Sequence, residues 1–422
     1  MKTKILLFSL LLSFNSLIQA QDIITLGAAD PIGTALSAYT GNNVVLIIPA
    51  GYTNPQGTTA ISIPVLTAGA KITFRGDGSK PELKIKGLTL PTGLNVSAIK
   101  FEGLTLSGAT TDPTANYVIN VAAGIAVTID SLIFNGCNIS TFRSLLRFQS
   151  TTATPDQIAN NFVLNNCILN NCSDYGVVYN NKVGGLFGAI VAKKSTFYGY
   201  GQNVFMCQTN TASVSISDCT FDNIVSTSTG KYIVDLNAQA SPITVTNSIF
   251  GGTILAAKGF RTGGTMSITN CYRTTNSTGS DSIKAPGGVT GAIIAYAGTS
   301  AQLFKSPNTS TPGTAFVSTA DYSIIDATFA GKTSAGDPRW YPSTGLKNNS
   351  INSFKVFPNP TTDIIYFDKT ASKVEIIDLL GKIVKSQNNV SESNLKSLSA
   401  GTYLVRAYDA DGNISVQKIN RK

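Results

Sequence analysis

The chain of 422 residues is sparsely charged, with 13% Asp, Glu, Lys and Arg, a formal net charge of +9, 38 glycines and no histidine. So small a surplus, without a cluster of Lys and Arg among aromatics, excludes a nucleic-acid surface and is compatible with a mildly basic groove for an acidic polymer. With no His and no Cys-x-x-Cys pair, the six cysteines do not form a zinc-type site.

Residues 1–20 join a basic start, Lys2 and Lys4, to an apolar run from Ile5 to Leu12 and a small residue, Ala20. That is the pattern of a secretory signal peptide, and the run is far short of the roughly 20 residues that span a bilayer. The first cysteine is Cys137, so none lies near the cleavage site to carry a lipid anchor. Residues 22–70 read as a cap, with strands at 23–26, 44–49 and 61–63 and one short helix within 30–39. Regular turns start at 72–76, 83–88 and 99–106 and are expected to end within 322–329.

The dominant pattern is a repeat whose clearest copy is residues 213–221. Val214 and Ile216 alternate with polar residues, Asp218 turns the chain, and Cys219 and Phe221 resume the alternation. The same frame is anchored at Cys137, Cys167, Ser195, Cys219, Ser248 and Cys271, at intervals of 30, 28, 24, 29 and 23 residues. Periods of this size with short strands and no amphipathic helix predict one turn of a parallel β-helix per repeat. Gly136, Asn166, Lys194, Asp218, Asn247 and Asn270 precede the anchor, at a corner that needs left-handed backbone angles. The amides of Asn166, Asn247 and Asn270 are expected to bond up the solenoid, with Lys194 interrupting them. Cys137, Cys167, Cys219 and Cys271 share one inward position about 4.8 Å apart per turn, which predicts a buried thiol stack rather than disulfides. The state of Cys172 and Cys207 is left open.

After Trp340 a polar linker at 341–352 leads to strands around 354–367, 374–384, 397–406 and 414–419, with a hairpin at Asp411-Gly412-Asn413; such spacing predicts a small β-sandwich.

Two resemblances follow from these motifs. Residues 25–340 resemble the pectate-lyase-like right-handed β-helix superfamily, and in detail a set of uncharacterised β-helix domains from exported proteins of Bacteroidota. Pectate lyases often carry Trp-x-Asp-His at the end of the strand where this chain has Ile216-Ser217-Asp218-Cys219, without the Trp or the His. Residues 353–422 resemble the type A C-terminal sorting domain of type IX secretion cargo, through Pro358-Asn359-Pro360, Leu380-Gly381-Lys382, Gly401-Thr402-Tyr403 and the basic end Lys418, Arg421 and Lys422. That resemblance implies export by the signal peptide, passage through the outer-membrane machinery that residues 353–422 engage, and release or attachment at the cell surface. The expected architecture is all-β: signal peptide 1–20, right-handed parallel β-helix 21–340, linker 341–352 and C-terminal Ig-like β-sandwich 353–422.

Beside the repeat strand runs a second ladder. If Phe148, Tyr179, Cys207, Leu236 and Phe260 face inward, its outer side carries Gln149, Asn180, Gln208, Asn237 and Arg261 in a row flanked by Arg147 and Asp235. Amides and guanidinium groups repeating once per turn suit a linear glycan, acidic or neutral. Two functions fit. One is a monomeric surface or secreted protein that binds polysaccharide without catalysis and without a cofactor. The other is a lyase of uronic-acid polymers such as pectin, with Arg147 or Arg261 as base and Asp235 as a Ca²⁺ ligand, the cofactor and chemistry that the pectate-lyase resemblance implies. A hydrolase would need two carboxylates about 5 to 9.5 Å apart, and the ladder supplies one.

Overall fold

The computed structural model describes residues 22–39, 41–172, 175–224, 230–253, 258–308, 320–342, 355–379, 381–408 and 414–422. The expected signal peptide, the linker from residue 343 on and the 411–413 hairpin lie outside the described residues. Two compact units divide the chain, Met1–Pro342 and Ser343–Lys422.

In the first unit three strands make one turn. Val127–Asn135 lies in the first sheet, Asn138–Ser140 in the second and Ser144–Phe148 in the third; Gln157–Asn165 then returns beside Val127–Asn135 in parallel. Repetition builds parallel sheets of eleven, nine and nine strands among the described residues, which form a right-handed parallel β-helix. Because every turn advances by one strand spacing, like residues stack on like. Phe74, Phe101 and Phe134 lie face to face with centroids 4.9 and 5.0 Å apart, and Phe197, Phe221 and Phe250 at 4.7 and 5.3 Å. All six rings are fully buried. Burying such a ring stabilises by about 1.5 to 3 kcal/mol, and each ring pair adds about 0.5 to 1.5 kcal/mol.

The corner between the first and second sheets has φ of 65° at Gly136, 55° at Asn166, 49° at Lys194, 54° at Asp218, 47° at Asn247 and 51° at Asn270, the left-handed column that the repeat predicts. The Asn270 amide donates to Asn247 Oδ1 and the Asn247 amide to Asp218 Oδ1, each at 3.0 Å. Below Lys194 the ladder is not resumed: Asn166 Oδ1 instead accepts from Arg339 at 2.8 Å. One residue on, Cys137, Cys167, Cys219 and Cys271 are free and buried, as are Cys172 and Cys207. Ser195 and Ser248 fill the same column because each hydroxyl is satisfied twice. Ser195 accepts from the Cys167 amide at 3.1 Å and donates to the Lys193 carbonyl at 2.8 Å; Ser248 accepts from the Cys219 amide at 3.2 Å and donates to the Thr246 carbonyl at 2.8 Å.

The ends differ from the expectation. Strands Asp22–Thr25 and Asn43–Ile48 already belong to the first sheet and Ile61–Ser62 to the third, so the solenoid starts before residue 72. The covering element is the helix Ile32–Ser37, which buries Ile32 and Leu36. At the other end the last turn is Ile283–Lys284, Val289–Thr290 and Ile293–Ala295, not a turn within 322–329. Beyond it the chain doubles back as a strap over the outside of the second sheet. The strap holds the helix Ser300–Leu303, the hairpin Phe304–Ser306 with Asp321–Ile324, and the 3₁₀ turn Pro338–Trp340. Its Leu303, Phe304, Tyr322, Ile324 and Phe329 form a second apolar cluster with Tyr198, Ile249 and Tyr272 of the solenoid. The period-two alternation around 322 is therefore real, but it packs against outward tyrosines instead of continuing the interior.

The second unit is an antiparallel, Ig-like β-sandwich of strands Val356–Phe357, Ile364–Ile377, Ile383–Asn394, Gly401–Tyr408 and Ile414–Arg421. Ile365, Phe367, Val374, Ile376, Val405 and Ile419 make its core. Among the described residues no helix is long and apolar enough to cross a membrane.

Candidate functional site

The outer face of the third sheet is set by its register. Asn120, Arg147, Tyr179, Met206, Asp235, Arg261 and Lys284 align across successive turns as one outward row. The adjacent row, Leu146, Val178, Phe205, Val234 and Phe260, is buried throughout. A strand repeats every two residues, so a slip of one residue exchanges the two faces.

That slip corrects the expected ladder. Asn180, expected outside, aligns with Cys207 and is fully buried; its amide donates to the Thr209 carbonyl at 3.1 Å and its Oδ1 accepts from the Lys182 amide at 3.2 Å. Tyr179, expected inside, is in the outward row. Phe260 aligns with Val234, so Arg261 sits level with Asp235 rather than with Asn237. Gln149, Gln208 and Asn237 follow the strand ends as a rim. Gln149 donates to Asn120 Oδ1 at 3.0 Å, Gln208 to Asp235 Oδ2 at 2.8 Å, and Asn237 turns the chain with φ 52°.

The two arginines of the row have opposite surroundings. Asp235, 3% exposed, accepts from Arg261 Nε at 2.6 Å and Arg261 Nη2 at 2.7 Å, from Gln208 and from the Asn237 amide at 3.0 Å. The bond to Asp235 raises the Arg261 pKa above its ordinary value, against the effect of burial. The Arg261 guanidinium also lies 4.8 Å from the centroid of the Tyr232 ring. This arginine is neutralised.

Arg147 instead lies 4.6, 5.7 and 5.9 Å from the ring centroids of Tyr175, Tyr179 and Tyr117. Among the described residues no carboxylate stands within ion-pair distance of it. Arg143 joins the cluster, 4.2 Å from the Tyr175 centroid and donating to Tyr117 Oη at 3.2 Å. Tyr175 and Tyr179 are in ring contact at 4.1 Å. Burial, then the neighbouring Tyr175, pushes the Tyr179 hydroxyl pKa up, so it remains a neutral donor. Sequence reasoning missed Tyr117, Arg143 and Tyr175. The usable signal was tyrosine recurring at strand starts and corners beside the arginine row.

The Ca²⁺ role does not fit Asp235. Its oxygens are taken by a guanidinium, an amide side chain and a backbone N–H, and displacing Arg261 would leave a half-buried guanidinium unpaired. Among the described residues no group of three His, Cys, Asp or Glu side chains is arranged to hold a metal ion.

Comparison with known families matches residues 355–420 to the secretion system C-terminal sorting domain. No curated protein and no solved structure matches the chain. A chain with that domain is exported, to be secreted or held at the cell surface.

Proposed function

We propose that this exported protein binds an acidic polysaccharide along the outer face of its third sheet and does not cleave it. In this reading the solenoid is pectate-lyase-like in ancestry, acts as a monomer, and spans 21–340 between a signal peptide at 1–20 and a linker at 341–352. The type IX machinery takes residues 353–422 as its partner.

The observation that supports binding is the contrast between Arg147 and Arg261. Asp235 neutralises Arg261, whereas Arg147 presents a guanidinium among three tyrosine rings. A planar fork of donors matches a carboxylate or sulfate, and aromatic faces suit the apolar side of a sugar ring. The rim amides Gln149 and Gln208 supply hydrogen bonds to hydroxyls further along the row. The engaged Asp235 speaks against the lyase.

A panel of pectins, alginates, glycosaminoglycans and neutral glucans, with and without Ca²⁺, tests the proposal. The expected result is salt-sensitive binding of acidic polymers with no release of unsaturated products. Equal affinity for neutral glucans, or product formation, would contradict it.

A further inference from the structure

We propose that the strap is a pH-sensitive clasp, whose hold on the second sheet tightens as Asp222 takes up a proton in mildly acidic surroundings. Asp222 lies on the strand Thr220–Ile224 in the outward row that aligns Asn170, Tyr198 and Asp222. On a bare solenoid that row would face water. Here the strap seals Asp222 to 2% exposure. Its Oδ1 accepts from Ser300 Oγ at 2.8 Å, at the start of the strap, and from the Gly252 amide at 2.6 Å.

The titratable groups facing it are Tyr322, from the strap hairpin, and Tyr198, on the neighbouring turn, whose rings lie 5.4 Å apart. Burial raises both tyrosines, Tyr198 to about 12, so neither supplies charge near neutral pH. Among the described residues no cation pairs with Asp222. The strap's own buried carboxylate, Asp337, is also raised by burial, but Arg339 at 2.9 Å and a hydrogen bond from Thr196 Oγ1 at 2.8 Å oppose the rise. A buried carboxylate held only by neutral donors favours its protonated form. Burial accordingly pushes the Asp222 carboxyl up to about 6, with the bonds from Ser300 and Gly252 opposing. A cavity of about 210 Å³, lined by Asp222, Asn276, Ser300 and Pro307 among others, reaches this carboxyl.

The sign follows from linkage. The docked state holds the proton more tightly than the released state, whose carboxyl returns to about 3.9, so docking strengthens as pH falls through 6. Between pH 8 and pH 5 the docking constant rises on the order of tenfold.

Hydrogen exchange of strap amides at 300–304 and 321–324 in the full chain, corrected for intrinsic rates, reads this constant. Wild type is expected to open about tenfold less often at pH 5 than at pH 8. Asp222→Asn should lose most of that dependence and stay closed at pH 8, while Asp337→Asn keeps most of it. A wild-type strap with pH-independent opening, or an Asp222→Asn strap as pH-dependent as wild type, would overturn the clasp. Should Asp222→Asn fail to fold, the carbon-13 titration of Asp222 in wild type decides: a midpoint near 6 supports the clasp and one below 4.5 rules it out.

Discussion

Asp235 and Arg261 face each other across adjacent turns of the third sheet with two parallel bonds of 2.6 and 2.7 Å, so the row's second arginine is a structural group. Removing Arg261 leaves the Asp235 carboxylate buried without its cation. Breaking such a pair costs about 3 to 5 kcal/mol, and the partial exposure of Arg261 puts the expected loss near about 3 kcal/mol. Arg147→Ala removes ring contacts, worth about 0.5 to 1 kcal/mol each at accessible sites, and one long hydrogen bond of 3.5 Å to Tyr117 Oη. Urea unfolding should rank Arg261→Ala as clearly less stable than Arg147→Ala. Equal losses would refute the asymmetry.

The thiol column makes a second prediction. Cys219→Ser places a hydroxyl where Sγ already lies 3.2 Å from the Ser217 carbonyl, as Ser195 and Ser248 do in their own turns. The expected cost is about 1 to 2 kcal/mol, with export retained. Mass spectrometry of the non-reduced wild type should find Cys219 as a free thiol. A stoichiometric disulfide there would contradict the column.

Trp340 is the chain's single tryptophan and reports on the end of the strap. Its Nε1 donates to Thr196 Oγ1 at 2.7 Å, and the same hydroxyl donates to Asp337. Thr196→Val keeps the shape but removes both bonds, leaving buried groups unsatisfied at a cost of about 1 to 3 kcal/mol. Tryptophan emission should shift to longer wavelength while the far-ultraviolet β signal is retained. An unchanged emission maximum would show that these bonds do not fix the strap.

Deleting residues 353–422 tests the sorting domain. The first unit has its own continuous core, so the truncated chain should fold yet remain inside the outer membrane. Wild-type amounts of truncated protein at the cell surface would contradict the assignment.

How much of this was legible in the sequence follows from physical range. The repeat, the left-handed corner from Gly136 to Asn270 and the Cys/Ser column are local signals imposed once per turn, and the sequence carries them openly. The frame of the third sheet was less secure, because its strands shrink to three residues at Val178–Asn180 and Phe205–Cys207 and cannot fix a period of two by themselves. Tyr179 and Asn180 were exchanged for that reason. Asp235 and Arg261 lie 26 residues apart, and only the register shows that they meet. The strap was hidden differently. Tyr322 and Ile324 alternate like an interior strand, and nothing local distinguishes the inside of the solenoid from its outside when Tyr200 lines the one and Tyr198 the other.

An acidic glycan is expected to bind at Arg147, and calorimetry of a uronate oligosaccharide with wild type, Arg147→Ala and Arg261→Lys tests this most directly. Loss of one charge-assisted contact is worth about 1.5 to 3 kcal/mol, so Arg147→Ala should weaken binding about tenfold or more and flatten its salt dependence. Arg261→Lys, which keeps a cation beside Asp235, should bind within about twofold of wild type, since the neutralised pair contributes little net attraction. Unchanged affinity in Arg147→Ala, or a tenfold loss confined to Arg261→Lys, would contradict the account.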